Sequence, residues 1–270
     1  MKARLLVAAV GIPFLLAIFL LLPAIASAVL FAVLCGIAVW ELLRTTGYVC
    51  SVRILVVTTA AAAAVCFLSW KGLPALPFQI TAVLFLCYLF AELLISDTTL
   101  DFTAVCAAFF AGIVLPFLLS AAVRILVSEN GRYWIILPFV MTMVPDSGAF
   151  LVGRKLGKHK LAPKISPKKT VEGAVGSVVT GILAVLLYGF ILQLLGFTVN
   201  YFFAAVYGLV GAVGSIAGDL VFSTVKRQHA IKDFGNLLPG HGGVLDRFDS
   251  LSVVAPLTEL LLLLIPMAVK

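Results

Sequence analysis

The chain has 270 residues, of which 63% are hydrophobic and 11% charged, and its mean hydropathy is +1.19. A soluble domain of this length carries about twice that charge, so composition excludes a soluble globular protein. It points to an all-α, polytopic membrane protein built as one transmembrane domain. The net charge of +7 lies in the connections between apolar runs. No soluble basic domain exists to bind nucleic acid, and anionic lipid headgroups and nucleotides are the partners this charge suits.

The N-terminus reads MKARLLVAAVGIPFLLAIFLLLPAIASA. Ala26-Ser27-Ala28 resembles a signal-peptide cleavage site. The apolar run before it is longer than the usual h-region, and another run follows at once, so an uncleaved first helix is expected. Nine runs are long enough to span a bilayer, near 5–22, 25–43, 54–70, 76–96, 102–124, 133–153, 171–195, 200–224 and 249–269. With the N-terminus in the cytoplasm, 15 of the 19 Lys and Arg residues fall on cytoplasmic ends, a strong inside bias. Lys71, Arg124, Arg132 and Lys270 remain on the other face. The five cysteines are scattered, without a C-x-x-C pair or a nearby histidine, and read as small hydrophobes. Glu41 and Glu92, near the ends of early spans, read as interfacial carboxylates reaching water, with a wall of a polar cavity as the sharper reading.

The second half carries the chemistry. Pro145 is expected to break the sixth run, which would set Asp146 in an aqueous cavity, because a carboxylate at that depth is costly unless it faces protein or water. Seven cations follow between Arg154 and Lys169. Lys155, Lys158 and Lys160 suit inside-positive topology. Lys168 and Lys169 precede Thr170, a candidate N-cap of the seventh helix, and helix N-termini attract phosphate. His159 reads as a loop residue. The pentapeptide GAVGS occurs at Gly173–Ser177 and again at Gly211–Ser215, and such small residues let membrane helices approach closely. Asp219, Ser223 and Lys226 recur at helical spacing and form one polar stripe.

The stretch from Ser223 to Asp249 reads STVKRQHAIKDFGNLLPGHGGVLDRFD. Lys226, Arg227, Lys232 and Arg247 can neutralise a polyphosphate, and Gly242 and Gly243 let backbone N–H groups come close to oxygens. Asp246 and Asp249, three residues apart at the start of the ninth run, add carboxylates suited to a hard cation such as Mg²⁺. Mg²⁺ with phosphate suggests phosphoryl or nucleotidyl transfer.

The order Ser223, Val225, Lys226-Arg227, Lys232-Asp233, Gly235, Leu238-Pro239, His241-Gly242-Gly243, Asp246-Arg247, Asp249 resembles the signature of phosphatidate cytidylyltransferases. SPKKTVEG at Ser166–Gly173 is similar to a second stretch of that family. The resemblance runs from about Pro145 to the end, and the first 130 or so residues match only in being hydrophobic. It implies a reaction of CTP with phosphatidate to give CDP-diacylglycerol and pyrophosphate in a cytoplasm-facing cavity open sideways to lipid, in a bacterial inner membrane. Residues 1–130 would then be scaffold and 131–270 would carry catalysis. The expected catalytic set is Asp219, Lys226, Asp246, Arg247 and His241, with His241 either donating to a phosphate oxygen or fixing the turn. Lys168, Lys169, Thr170, Ser223, Arg227, Lys232, Gly242 and Gly243 would hold substrate. Asp219, Asp246, Asp249 and Asp146 would hold Mg²⁺; a second cation and a homodimer stay open. A CTP-dependent lipid kinase and an anionic-solute transporter remain alternative readings. A CDP-alcohol phosphotransferase does not, because its spaced D-G-x-x-A-R with a later Asp pair is absent.

Overall fold

The computed structural model describes residues 2–95, 100–237 and 242–270, with backbone alone for 2–10 and 12. Its regular structure is helical, apart from two short antiparallel strand pairs. Among the described residues, seven helices are long and apolar enough to cross a membrane: Ala24–Thr45, Val52–Trp70, Ala75–Ile95, Phe102–Val127, Gly131–Leu156, Val171–Leu194 and Tyr201–Gln228. Lys2–Leu21 is a further helix of 20 residues. The all-α polytopic reading therefore holds.

Two of the expected runs differ in detail. The sixth is continuous: Ile136–Leu156 carries Pro145 inside it. Pro145 cannot donate to the carbonyl four residues earlier, but its ring is buried and packs against Gly181, where the partner helix has no side chain. The ninth run forms a helix only over Leu251–Leu264, 14 residues, or about 21 Å at 1.5 Å per residue. Pro266 disfavours helix at the residue before it, and the chain turns instead into a strand, Ala268–Val269, paired with Thr198–Val199.

The chain forms two compact units, Met1–Arg132 with Gln228–Phe248 and Tyr133–Arg227 with Asp249–Lys270. In the first, the core is aliphatic and aromatic, with Phe31, Leu43, Leu55, Leu89 and Leu115 fully buried. Phe102–Val127 contains a π-helical turn at Phe110–Val114, where Gly112 lies against Phe85 and Thr58. Cys35 and Cys66 are buried free thiols 3.7 Å apart, consistent with small hydrophobes. Arg124, which ends the fifth expected run, is buried near a helix end, where its guanidinium donates to the Phe117 carbonyl at 3.0 Å and the Ser69 hydroxyl at 3.2 Å.

In the second unit the GAVGS repeats do the packing expected of them. A Cβ on Gly176 would collide with Val152, one on Gly211 with Met141, and one on Gly208 with the backbone of Ile182. Hydrogen at those positions is what allows the helices to touch. The hairpin Lys160–Ala162 and Ser166–Thr170 pairs Lys160 with Thr170 and Ala162 with Ser166. Thr170 ends the hairpin and caps Val171–Leu194, its hydroxyl accepting from the Gly173 N–H at 3.1 Å.

Candidate active site

The second unit holds a cavity of about 500 Å³. Its polar lining is Asp146, Arg154, Lys168, Lys169, Thr170 and Asp219, and Ala149, Phe150, Leu161, Ala174 and Ile216 supply apolar wall. Lys155, Lys158 and Lys160 are exposed and do not line it. The cap at Thr170 fixes where the hairpin meets the helix, and this sets Lys168 and Lys169 at the rim. The hairpin is tied at two further points. Glu172 accepts the Lys158 and His159 N–H groups at 3.1 and 3.2 Å and pairs with His159 Nδ1 at 2.7 Å. Arg227 donates from Nε to the Ile165 carbonyl at 3.2 Å. His159, expected to be only a loop residue, is therefore part of the hairpin's anchorage.

Asp219 is engaged on both oxygens. Lys169 Nζ stands 2.6 Å from Oδ2, and the Ser223 hydroxyl donates to Oδ1 at 3.0 Å, one turn along the same helix. Asp146 accepts from the Ser215 hydroxyl at 2.8 Å. Asp249 lies in the turn ahead of Leu251–Leu264, outside the seven spans, and accepts from the Ser250 N–H at 2.6 Å. Burial pushes its carboxyl up to about 7, and the negative charges of Asp219 and, more weakly, Asp146 push the same way. The Ser250 N–H and the Lys226 ammonium oppose them. Lys226 itself is buried, whereas Arg227 is exposed.

The chemistry of these donors fits Mg²⁺. Carboxylates that repel one another favour a cation, and the Lys169 ammonium already occupies such a place beside Asp219. Among the described residues no three His, Cys, Asp or Glu side chains converge closely enough to hold a metal by themselves. That does not weigh against the fit, because Mg²⁺ commonly takes one or two carboxylates and completes its octahedron with water and substrate phosphate.

The middle of the Ser223–Asp249 motif belongs to the first unit. His241 lies outside the described residues. Lys232, Asp233 and Arg247 are exposed. Gly242 adopts a φ of 85°, a left-handed turn that glycine favours, and a Cβ there would stand 3.0 Å from the Asp246 carboxylate and 3.3 Å from the Asp233 side chain. Asp246 is buried, and its Oδ2 accepts from the Phe234 N–H at 2.8 Å and the Gly243 N–H at 3.0 Å. The next two N–H groups, of Val244 and Leu245, go to Glu41 at 2.9 and 2.8 Å. Glu41 is 5% exposed, so the expectation that it reaches interfacial water is wrong. Glu92 is likewise buried and accepts from Arg53 at 2.5 Å. The reason is the same in both cases: a carboxylate inside a membrane protein is stable once donors surround it. A larger groove of about 940 Å³ runs beside Glu41 in this unit, but its other lining is mainly apolar.

A sequence model of the Cytidylyltransferase family matches residues 2–265. The chain belongs to that family. The chain is 43% identical over 136 residues to the phosphatidate cytidylyltransferase of Bacillus subtilis, a stretch covering 50% of the chain and 49% of that relative. It is 38% identical over 135 residues to the protein of the same name from Staphylococcus haemolyticus, covering 50% and 51%, and 39% identical over 135 residues to that from Staphylococcus saprophyticus, with the same shares. The matches span about half the length of these relatives. The chain is thus a family member with bacterial relatives and, among its described residues, seven helices long and apolar enough to cross a membrane.

Proposed function

We propose that this protein joins CTP to phosphatidate, forming CDP-diacylglycerol and pyrophosphate. One observation carries the substrate class. The charged cavity shares Ala174 and Ile216 with an apolar groove of about 480 Å³ between Val171–Leu194 and Tyr201–Gln228. A charged chamber adjoining an apolar groove suits an amphiphile whose phosphate meets the lysines while an acyl chain lies along Val175, Val179 and Val213. The names of the relatives supply the nucleotide.

A phosphatidate oxygen attacks the α-phosphorus of CTP in line. The new phosphorus–oxygen bond forms as the bond from the α-phosphorus to the bridging oxygen of the β-phosphate breaks, and the electron pair leaves with pyrophosphate. The phosphate monoester is already anionic near neutral pH, so no strong base is needed, and catalysis rests on positioning and charge neutralisation. Lys168, Lys169 and Arg154 hold phosphate oxygens from the cavity wall. Lys226, Arg227, Lys232 and Arg247 add positive charge along the motif. Ser223 orients Asp219, as Ser215 orients Asp146. Asp219, Asp249 or Asp146, with Asp246 a further candidate from the motif, would hold Mg²⁺, which would supply charge neutralisation for the triphosphate and the departing pyrophosphate. The Lys/Arg bias supports a cavity open to the cytoplasm, where CTP is found.

The test is product analysis with purified protein in mixed micelles containing CTP, Mg²⁺ and either phosphatidate or diacylglycerol. A CDP-lipid formed from phosphatidate alone is the expected result. Phosphatidate appearing from diacylglycerol would instead identify a CTP-dependent lipid kinase.

A further inference from the structure

Glu41 comes from the N-terminal helices, far in sequence from the motif, yet it is bonded into the motif's turn. Its two oxygens accept from successive N–H groups, Val244 and Leu245, at 2.9 and 2.8 Å. The preceding N–H, of Gly243, goes to Asp246 Oδ2 at 3.0 Å. Three consecutive backbone donors are therefore divided between two carboxylates, and a fourth, Phe234, closes on Asp246 at 2.8 Å. The glycines fit around Glu41: a Cβ on Gly235 or Gly243 would stand under 3.0 Å from its carboxylate. In this turn Gly243 makes room for a resident anion, and the neighbouring N–H groups are already taken.

We infer that Glu41 is a positioning residue, which fixes the Gly243–Asp246 turn and through it the direction of the Asp246 carboxylate. This rests on the proposed function only in taking Asp246 as a cation ligand. If Glu41 lets go, the Val244 and Leu245 donors lose their acceptors. The turn then relaxes, and Asp246, held by the N–H next in line, moves with it. Partners that orient a metal-binding carboxylate in this way are typically worth about 10–100-fold in metal affinity.

The test is Glu41→Gln, with Glu41→Asp beside it, in full-length protein in detergent. Gln keeps the size but sets an NH₂ against a backbone N–H. The expected result is faster hydrogen–deuterium exchange in the 242–248 peptide and Mn²⁺ binding weaker by about tenfold or more, read by electron paramagnetic resonance. The Mg²⁺ concentration for half-maximal activity should rise alike, with the KM for phosphatidate within about twofold of wild type. Glu41→Asp keeps the charge and should fall between the two. Exchange and Mn²⁺ affinity at wild-type values in Glu41→Gln would overturn the inference, as would a lower kcat with Mn²⁺ affinity unchanged. If Glu41→Gln does not fold, Glu41→Asp decides by the same two readouts. A wild-type protein that makes no CDP-lipid would defeat the proposed reaction, while the exchange and Mn²⁺ measurements would still decide the role of Glu41.

Discussion

Lys169 Nζ and Asp219 Oδ2 stand 2.6 Å apart, joining the end of the hairpin's second strand to the C-terminal half of the Tyr201–Gln228 helix. Asp219 is thereby neutralised by the chain's own cation, with Ser223 on its other oxygen. The pair makes the two residues unequal in their expected effects. Asp219→Asn keeps the size but removes the anion, and should lower kcat by about 100-fold or more with the protein still folded. Lys169→Met should act mainly through substrate binding, raising a KM by about tenfold, the worth of one hydrogen bond to a charged group. Steady-state kinetics against CTP and phosphatidate separate the two, and near-normal turnover in Asp219→Asn would show that its carboxylate is structural.

Asp249 supplies a pH dependence. Burial and Asp219 raise its carboxyl to about 7, so the neutral form is favoured below that value. A cation that uses this carboxylate must displace the proton, and its affinity should rise as pH passes upward through 7. Mn²⁺ titrations should give binding about tenfold weaker at pH 6 than at pH 8, with Asp249→Asn flattening the profile. A flat profile in the wild type would mean that Asp249 takes no part.

The Lys/Arg bias predicts that the hairpin and the end of the Tyr201–Gln228 helix face the cytoplasm. Single-cysteine variants Lys160→Cys and Gln228→Cys, in a background without native cysteines, should react in intact cells only with a membrane-permeant maleimide. Labelling of either by an impermeant reagent would put that segment on the wrong face for cytoplasmic CTP.

Much of this architecture is legible in the sequence, for physical reasons that can be named. The spans show because apolar length is dictated by the bilayer. Thr170 shows as a cap and GAVGS as a contact because capping and close packing are local in sequence. Asp219, Ser223 and Lys226 show as a stripe because helical spacing is fixed. Glu41 does not show, because its donors lie 203 and 204 residues away and a lone carboxylate near a helix end looks the same whether it meets water or a backbone turn. Continuity through Pro145 depended on Gly181 of the partner helix, and the short last helix depended on Pro266 and a strand partner at Thr198–Val199. The pairing of His159 with Glu172 was closer at hand, since a hairpin between them brings their ends together. Family likeness was carried by the motif's fixed residue types, which needed no structure.

The central claim is tested most directly by following the two ends of the triphosphate. Purified protein is supplied with phosphatidate, Mg²⁺ and CTP labelled separately on the α- and γ-phosphorus. The α-label should enter the lipid and the γ-label should leave as pyrophosphate. A γ-label recovered in lipid, or no lipid product from either label, would contradict the assignment.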